Sequence, residues 1–280
     1  MCVRELRTHF FHYRISHMRN GSQMKKRFLL LLALLMLLAG CSKEAVIEEE
    51  EVIEELIEEI EEEEIAVEED PFDYVFLNQL LETNREINKD YIGELWFESE
   101  LVHESVVQGA TNDTYLRKNW KTGEYESSGS IFMDFRNTLE DQNIIIYGHY
   151  VYLSKDPNGD RVFTPLRFLT EEENYEDNKT FYLLLDGEIR VYEIAVVYYC
   201  QLVNNNTEAR KDMQYYFTNY DESYFETYKA AIQKAAFYDT GVDFDFNDKF
   251  VTLQTCVENR DDLREIILAK QVDVLSTIKE

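Results

Sequence analysis

Very few side chains in this sequence are suited to covalent chemistry. Its four cysteines are Cys2, Cys41, Cys200 and Cys256, and its five histidines are His9, His12, His17, His103 and His149. No CxxC and no zinc-type spacing links them, so neither a disulfide framework nor a metal site is expected. A thiol and an imidazole together suit nucleophilic catalysis: the thiolate attacks, the imidazole moves protons, and a nearby cation favours the charged species. Cys256 closes the run FVTLQT, whose β-branched and large apolar residues fit a pleated strand. Eight residues later Arg264 opens a second apolar run, 266–269. If these strands are neighbours, thiol and guanidinium share one rim of a sheet. Cys200, inside Tyr198-Tyr199-Cys200, reads as a small buried hydrophobe. His103 lies in a polar stretch and reads as a surface residue. His149 ends NIIIYG, at a strand end, after a glycine that lets the backbone turn. That makes Cys256 with His149 the economical pair. Arg264 has a plainer alternative, a salt bridge to Asp262 or Glu265. Arg260 reads as solvated or paired in a charged loop, and Glu258 is a weak candidate for orienting His149.

The elements that must position these groups follow from pattern. The sequence 72–87 has apolar residues at helical spacing (Phe72, Val75, Phe76, Leu80, Ile87), with Asp70 and Pro71 as a helix start. From Tyr91 the pattern turns to short strands: YIGELWFE, ESVVQG, GSIFMDF, NIIIYGH, TFYLLL and a long run over 189–203. That spacing predicts a barrel or sandwich. One helix, over about 221–238, interrupts it before the cysteine strand.

Charge and targeting signals frame the rest. The 280 residues carry a formal charge of −28. Sixteen acids and no base fall within 44–70, so the remainder carries −12. Phosphate contacts need a basic face, which excludes a nucleic-acid partner. Residues 1–23 show no period and read as an untranslated or disordered leader, with translation starting at Met24. Residues 24–40 form an export signal, a basic start followed by an apolar run at 28–38 that is short for a membrane span. It ends Leu38-Ala39-Gly40-Cys41, which resembles the lipobox of bacterial lipoproteins, with Cys41 the lipidated residue; an uncleaved signal anchor is the alternative. Residues 41–70 read as an acidic spacer, about 40 Å long if helical and about 90 Å if extended. The expected location is the outer face of the cytoplasmic membrane, facing the cell wall. Residues 71–280 are the expected catalytic domain.

Four blocks resemble the class B sortases: VVQG (106–109), GSIFMDFRN (129–137), NIIIYGH (143–149) and TLQTC (252–256), with an arginine opening the last strand. The likeness spans about 73–270. It implies a mainly β, closed sortase barrel with an N-terminal helical extension and an added helix before the cysteine strand. It implies cysteine transpeptidation at a Gram-positive surface, with Cys256 as nucleophile, His149 as general acid and base, and Arg264 steadying substrate and oxyanion. No cofactor is implied. The implied partners are surface proteins with an Asn-Pro-x-Thr-like C-terminal signal and an amine from the peptidoglycan cross-bridge or a pilin. Two features depart from the family: the lipobox with its acidic spacer, and the longer segment YVYLSKDPNGDRVF after His149. A non-catalytic surface lipoprotein that binds a ligand or sorting signals on such a barrel is the competing reading.

Overall fold

The computed structural model describes residues 72–152 and 161–277. The leader, export signal, Cys41, spacer and Asp70-Pro71 helix start all lie outside the described residues. The chain divides between Tyr74 and Val75, and the residues from Val75 onward form one compact unit.

Strand-forming sequence here means alternation of apolar and polar residues around a shared interior. Helix α1 (Tyr74–Ile87) leads into β1 (Tyr91–Phe97), β2 (His103–Val107), β3 (Ile131–Met133) and β4 (Asn143–Tyr147). A 3-10 helix (Thr164–Thr170) and a short α2 (Tyr175–Asn178) precede β5 (Thr180–Leu184), β6 (Glu188–Val203) and β7 (Glu208–Ala209). Helix α3 (Glu222–Ala235) then precedes β8 (Phe250–Val257) and β9 (Arg260–Ser276). The strand order is β5-β1-β2-β3-β4-β8-β9-β6-β7, and a further β5–β6 pairing closes the first eight into a barrel. Pairings β2–β3 and β4–β8 are parallel and the others antiparallel. The expected mainly β barrel, with one helix before it and one ahead of the cysteine strand, is the observed architecture.

Period-two alternation sorts β8, β9 and β6 between two cores. Val251, Leu253, Ile267, Ala269 and Val197 join the barrel interior. Phe250, Ile266, Leu268, Tyr198 and Cys200 join a second cluster on the outer face, as side chains of successive strand residues must. Helix α3 covers that outer face. Asp221 caps it by accepting from the Ser223 and Tyr224 amides, and it buries Phe225, Tyr228 and Ile232. This stripe, at i, i+3 and i+7, is one face of a helix.

Two details differ from the sequence reading. The buried stripe of α1 is Leu77, Leu81 and Asn84, whereas Val75 and Ile87 are exposed. Apolar residues counted at helical spacing do not fix the face when a polar residue finds a buried partner: Asn84 donates to Glu94 Oε1 at 3.1 Å. The link between the last two strands is also tighter than a polar loop. Val257 pairs with Arg260, and Asn259 takes a positive φ of 59°, a conformation that Asn tolerates better than most residues.

Candidate active site

Register in the last hairpin fixes the first two groups. Cys256 and Arg264 are Cα partners across β8 and β9. Both belong to the outward-facing set of their strands, by parity with Phe250 on β8 and with Ile266 and Leu268 on β9. The Arg264 guanidinium donates to the carbonyls of Asp261 (3.2 Å) and Leu263 (2.8 Å). Among the described residues it has no carboxylate partner, so the plain salt-bridge alternative fails. Asp262 is taken instead by Arg260, at 2.8 Å. Arg260 lies in β9 rather than in a loop.

The imidazole arrives on the neighbouring parallel strand. Tyr147 on β4 is the partner of Gln254 on β8, and the Gly148 amide donates to the Gln254 carbonyl at 3.1 Å. Two residues further along this register lie His149 and Cys256. Neighbouring strands run about 4.8 Å apart. His149 Nε2 lies 2.8 Å from the Leu116 carbonyl; the contact requires the proton on Nε2 and leaves Nδ1 as the acceptor nitrogen of the neutral ring. Burial lowers its pKa, the Leu116 carbonyl opposes this, and Arg117 adds to the lowering. The resting imidazole is therefore neutral at neutral pH.

Gly148 has a different reason from the turn expected of it. A Cβ there would meet the Phe163 ring at 2.6 Å, so glycine is needed for close packing of strand end against the barrel interior. Gly148→Ala is expected to displace Phe163 or the chain at His149, lowering Tm by several degrees and activity by about tenfold or more. A melting curve with a peptide-cleavage assay checks this; a variant equal to wild type in both would show that Phe163 yields at no cost.

The remaining candidates separate cleanly. Cys200 is fully buried, and burial pushes its thiol up to about 11. It is also a Cα partner of Arg264, from the β6 side. Cys200 and Cys256 thus flank the arginine two strands apart, about 10 Å, beyond disulfide reach; both thiols are free. His103 is not a surface residue. Its side chain is 6% exposed, 3.8 Å from Glu100 and packed near Trp96. It begins β2, which β3 and β4 separate from β8. Glu258 does not orient His149; it accepts from the Tyr150 hydroxyl at 3.2 Å.

Sequence reasoning missed four neighbours. Leu116, through its carbonyl, and Arg117 attend the imidazole, and nothing in a residue type announces a backbone contact. Burial raises the Tyr152 phenol, Asp261 and Cys256 raise it further, and Arg264 opposes. Tyr152 therefore lies within electrostatic reach of both groups. The repeated tyrosines in Tyr150-Val151-Tyr152 were the available signal. Tyr215 likewise is raised by burial and feels Arg264 and Cys256.

No family model matches the chain. It is 31% identical over 182 residues to sortase B of Listeria monocytogenes, covering 63% of this chain and 67% of that protein. It is 26% identical over 198 residues to sortase B of Staphylococcus aureus, covering 69% and 75%. Among solved structures, sortase B of Clostridium perfringens matches with a TM-score of 0.57 and 28% identity, over 69% of this chain and 99% of that one.

Proposed function

We propose, from the premise that this chain belongs to the sortase B family of cysteine transpeptidases, that Cys256, His149 and Arg264 exchange an amide bond near the C-terminus of a surface protein. The observation that carries this is the register: Cys256 faces Arg264 across one strand pair, and His149 lies two residues beyond Tyr147, the last residue paired along the other side of β8.

Chemistry follows from the protonation states. With His149 neutral at rest, the thiol of Cys256 passes its proton to the imidazole as sulfur attacks the carbonyl carbon of the threonine in the sorting signal. The C=O bond becomes C–O⁻, and Arg264, free of any carboxylate among the described residues, donates to that oxyanion. The tetrahedral centre collapses, the C–N bond breaks, and the imidazolium gives its proton to the departing amine. An acyl thioester remains on Cys256. An acceptor amine then attacks, His149 takes its proton, and the sulfur leaves with a new amide formed. An Asn-Pro-x-Thr-like signal and an amine of a peptidoglycan cross-bridge or a pilin are the expected partners. Sortase B structures solved with a substrate and with triglycine describe those proteins' ligands and favour looking for both kinds here.

The export signal at 24–40 and the lipobox at Cys41 support anchoring by lipid on the outer membrane face, with 41–70 as the spacer that carries the domain toward the wall. The deciding experiment mixes the soluble domain with peptides carrying graded sorting signals, with and without triglycine, and follows products by mass spectrometry. A thioester on Cys256 and an amide to the added amine are expected. Peptide binding with neither product would leave a non-catalytic binder of sorting signals.

A further inference from the structure

The block GSIFMDFRN (129–137) supplies none of the three groups placed in the chemistry, yet its aspartate gathers donors from the segments around them. Asp134 directly follows β3 and is 0% exposed. Its amide donates to the Ile145 carbonyl of β4 at 2.8 Å. Ile131 and Met133 point into the barrel, so by alternation the Asp134 carboxylate points outward, as Tyr147 does.

Each donor to that carboxylate comes from a different part of the site. Arg136 reaches both oxygens, through Nε and Nη2 at 2.8 Å each, and its amide adds a bond of 2.9 Å. The Tyr147 hydroxyl donates at 2.8 Å from β4, two residues before His149. Asn112 Nδ2 donates at 3.1 Å, and Asn112 Oδ1 accepts from the Phe135 amide at 3.0 Å. Asn112 stands four residues before Leu116, whose carbonyl meets His149 Nε2. Bonds to an ionised acceptor are short and strong, so the junction is stiff. Burial works against its charge, but Arg136, Asn112 and Tyr147 outweigh burial and hold the pKa at about 2.

Other parts of the site have further anchors. Arg136 also donates to the Tyr216 carbonyl at 3.0 Å, but Asn143 holds the same segment through the Tyr215 and Phe217 carbonyls, at 3.1 and 2.9 Å. Tyr115 is pinned separately: its carbonyl accepts from the Ser130 amide at 3.1 Å and its hydroxyl donates to Asp90 at 2.8 Å. Weakening the junction should therefore loosen the chain at Leu116 without unfolding it.

We propose that Asp134 is a positioning residue for the imidazole: by gripping Tyr147 and Asn112 with one carboxylate, it fixes the strand that delivers His149 against the segment whose Leu116 carbonyl keeps the ring proton on Nε2. A neutral imidazole can carry its proton on either nitrogen. With Leu116 in place, Nδ1 stays bare and can take the thiol proton. If strand and segment drift apart, the carbonyl no longer selects Nε2–H. Part of the population then carries the proton on Nδ1 and has no base at that atom. A displacement of about 1 Å near a reacting group can cost about 10²-fold.

The inference rests on the proposed role of His149, so its test reads turnover and, separately, the ring itself. Nitrogen-15 NMR of the histidines, with His149 signals assigned by their loss in His149→Ala, reports which ring nitrogen is protonated. Peptide kinetics give kcat and KM. Asp134→Asn is expected to lower kcat about tenfold to a hundredfold with KM within about threefold, and to replace the Nε2–H ring by a mixture of tautomers. If no peptide turns over in wild type but the tautomer still shifts, the transpeptidase reading fails while the hold on the imidazole stands. If Tm falls while kcat and tautomer keep their wild-type values, Asp134 is merely structural and the proposal is overturned. Should Asp134→Asn not fold, Tyr147→Phe and Asn112→Ala each remove one arm and leave the Asp134–Arg136 pair intact. Because both arms end on one carboxylate, the double variant should lose no more than about threefold in kcat beyond the worse single variant. Independent, multiplicative losses, or single variants within about twofold of wild type in kcat with an unchanged tautomer, would overturn the proposal.

Discussion

Cys256→Ala will abolish thioester formation and peptide cleavage, leaving turnover at least about 10⁴-fold below wild type, because no other group in the site can form the covalent intermediate. The fold should survive. Cys256 lies at the end of its strand and is only half-buried, so removing its sulfur opens a small cavity at most, and Tm should stay within a few degrees. Cys200 cannot substitute. It is enclosed among Tyr198, Met213 and Tyr228, and its high pKa leaves almost no thiolate at neutral pH. A thiol-reactive sorting peptide should therefore label wild type once, at Cys256, and should not label Cys256→Ala. Labelling at Cys200 in either protein would reassign the nucleophile.

The second large effect concerns charge. Arg264→Ala and His149→Ala are each expected to lower kcat/KM by about 10²–10⁴-fold, since in the proposed mechanism each acts on a charge or proton that exists only in the transition state. They should differ in kind. His149→Ala leaves the thiol with no base, so its defect should ease as pH rises and solvent deprotonates the sulfur. Arg264→Ala removes the proposed donor to the oxyanion, and added base should not restore it. Arg264→Lys keeps the charge without the planar, forked donor set and should recover only part of the loss. Single-turnover acylation rates across pH distinguish these two patterns; identical profiles for the two alanine variants would argue that the residues share one role.

What the sequence revealed of this site follows from where its information lies. The pairing of Cys256 with Arg264 was legible because eight residues of chain and two apolar runs describe a hairpin, and a hairpin sets its own register. The place of His149 was legible only as a strand end; that β4 lies parallel beside β8 depends on crossovers that leave no local mark. The Leu116 carbonyl was invisible in the same way. His103 was misjudged because polar neighbours suggest solvent, whereas Trp96 and the Glu100 carboxylate enclose its ring. Glu265 was noticed only as a partner for Arg264, since adjacency along the chain suggests contact; in a strand, adjacent side chains point to opposite faces, and the two never meet.

Closure of the barrel through β5 and β6 also limits how a peptide can be read. Among the described residues each strand closed into the barrel is paired on both sides, and only the two-residue β7 ends the sheet, so an extended peptide of the proposed kind has little strand edge on which to build a ladder of main-chain hydrogen bonds. In the proposed function, discrimination would rest on side chains and loop carbonyls near Cys256 and His149, Tyr152, Tyr215 and the Leu116 segment among them. Substitutions at those positions can redirect sequence preference while leaving the barrel's own pairing untouched.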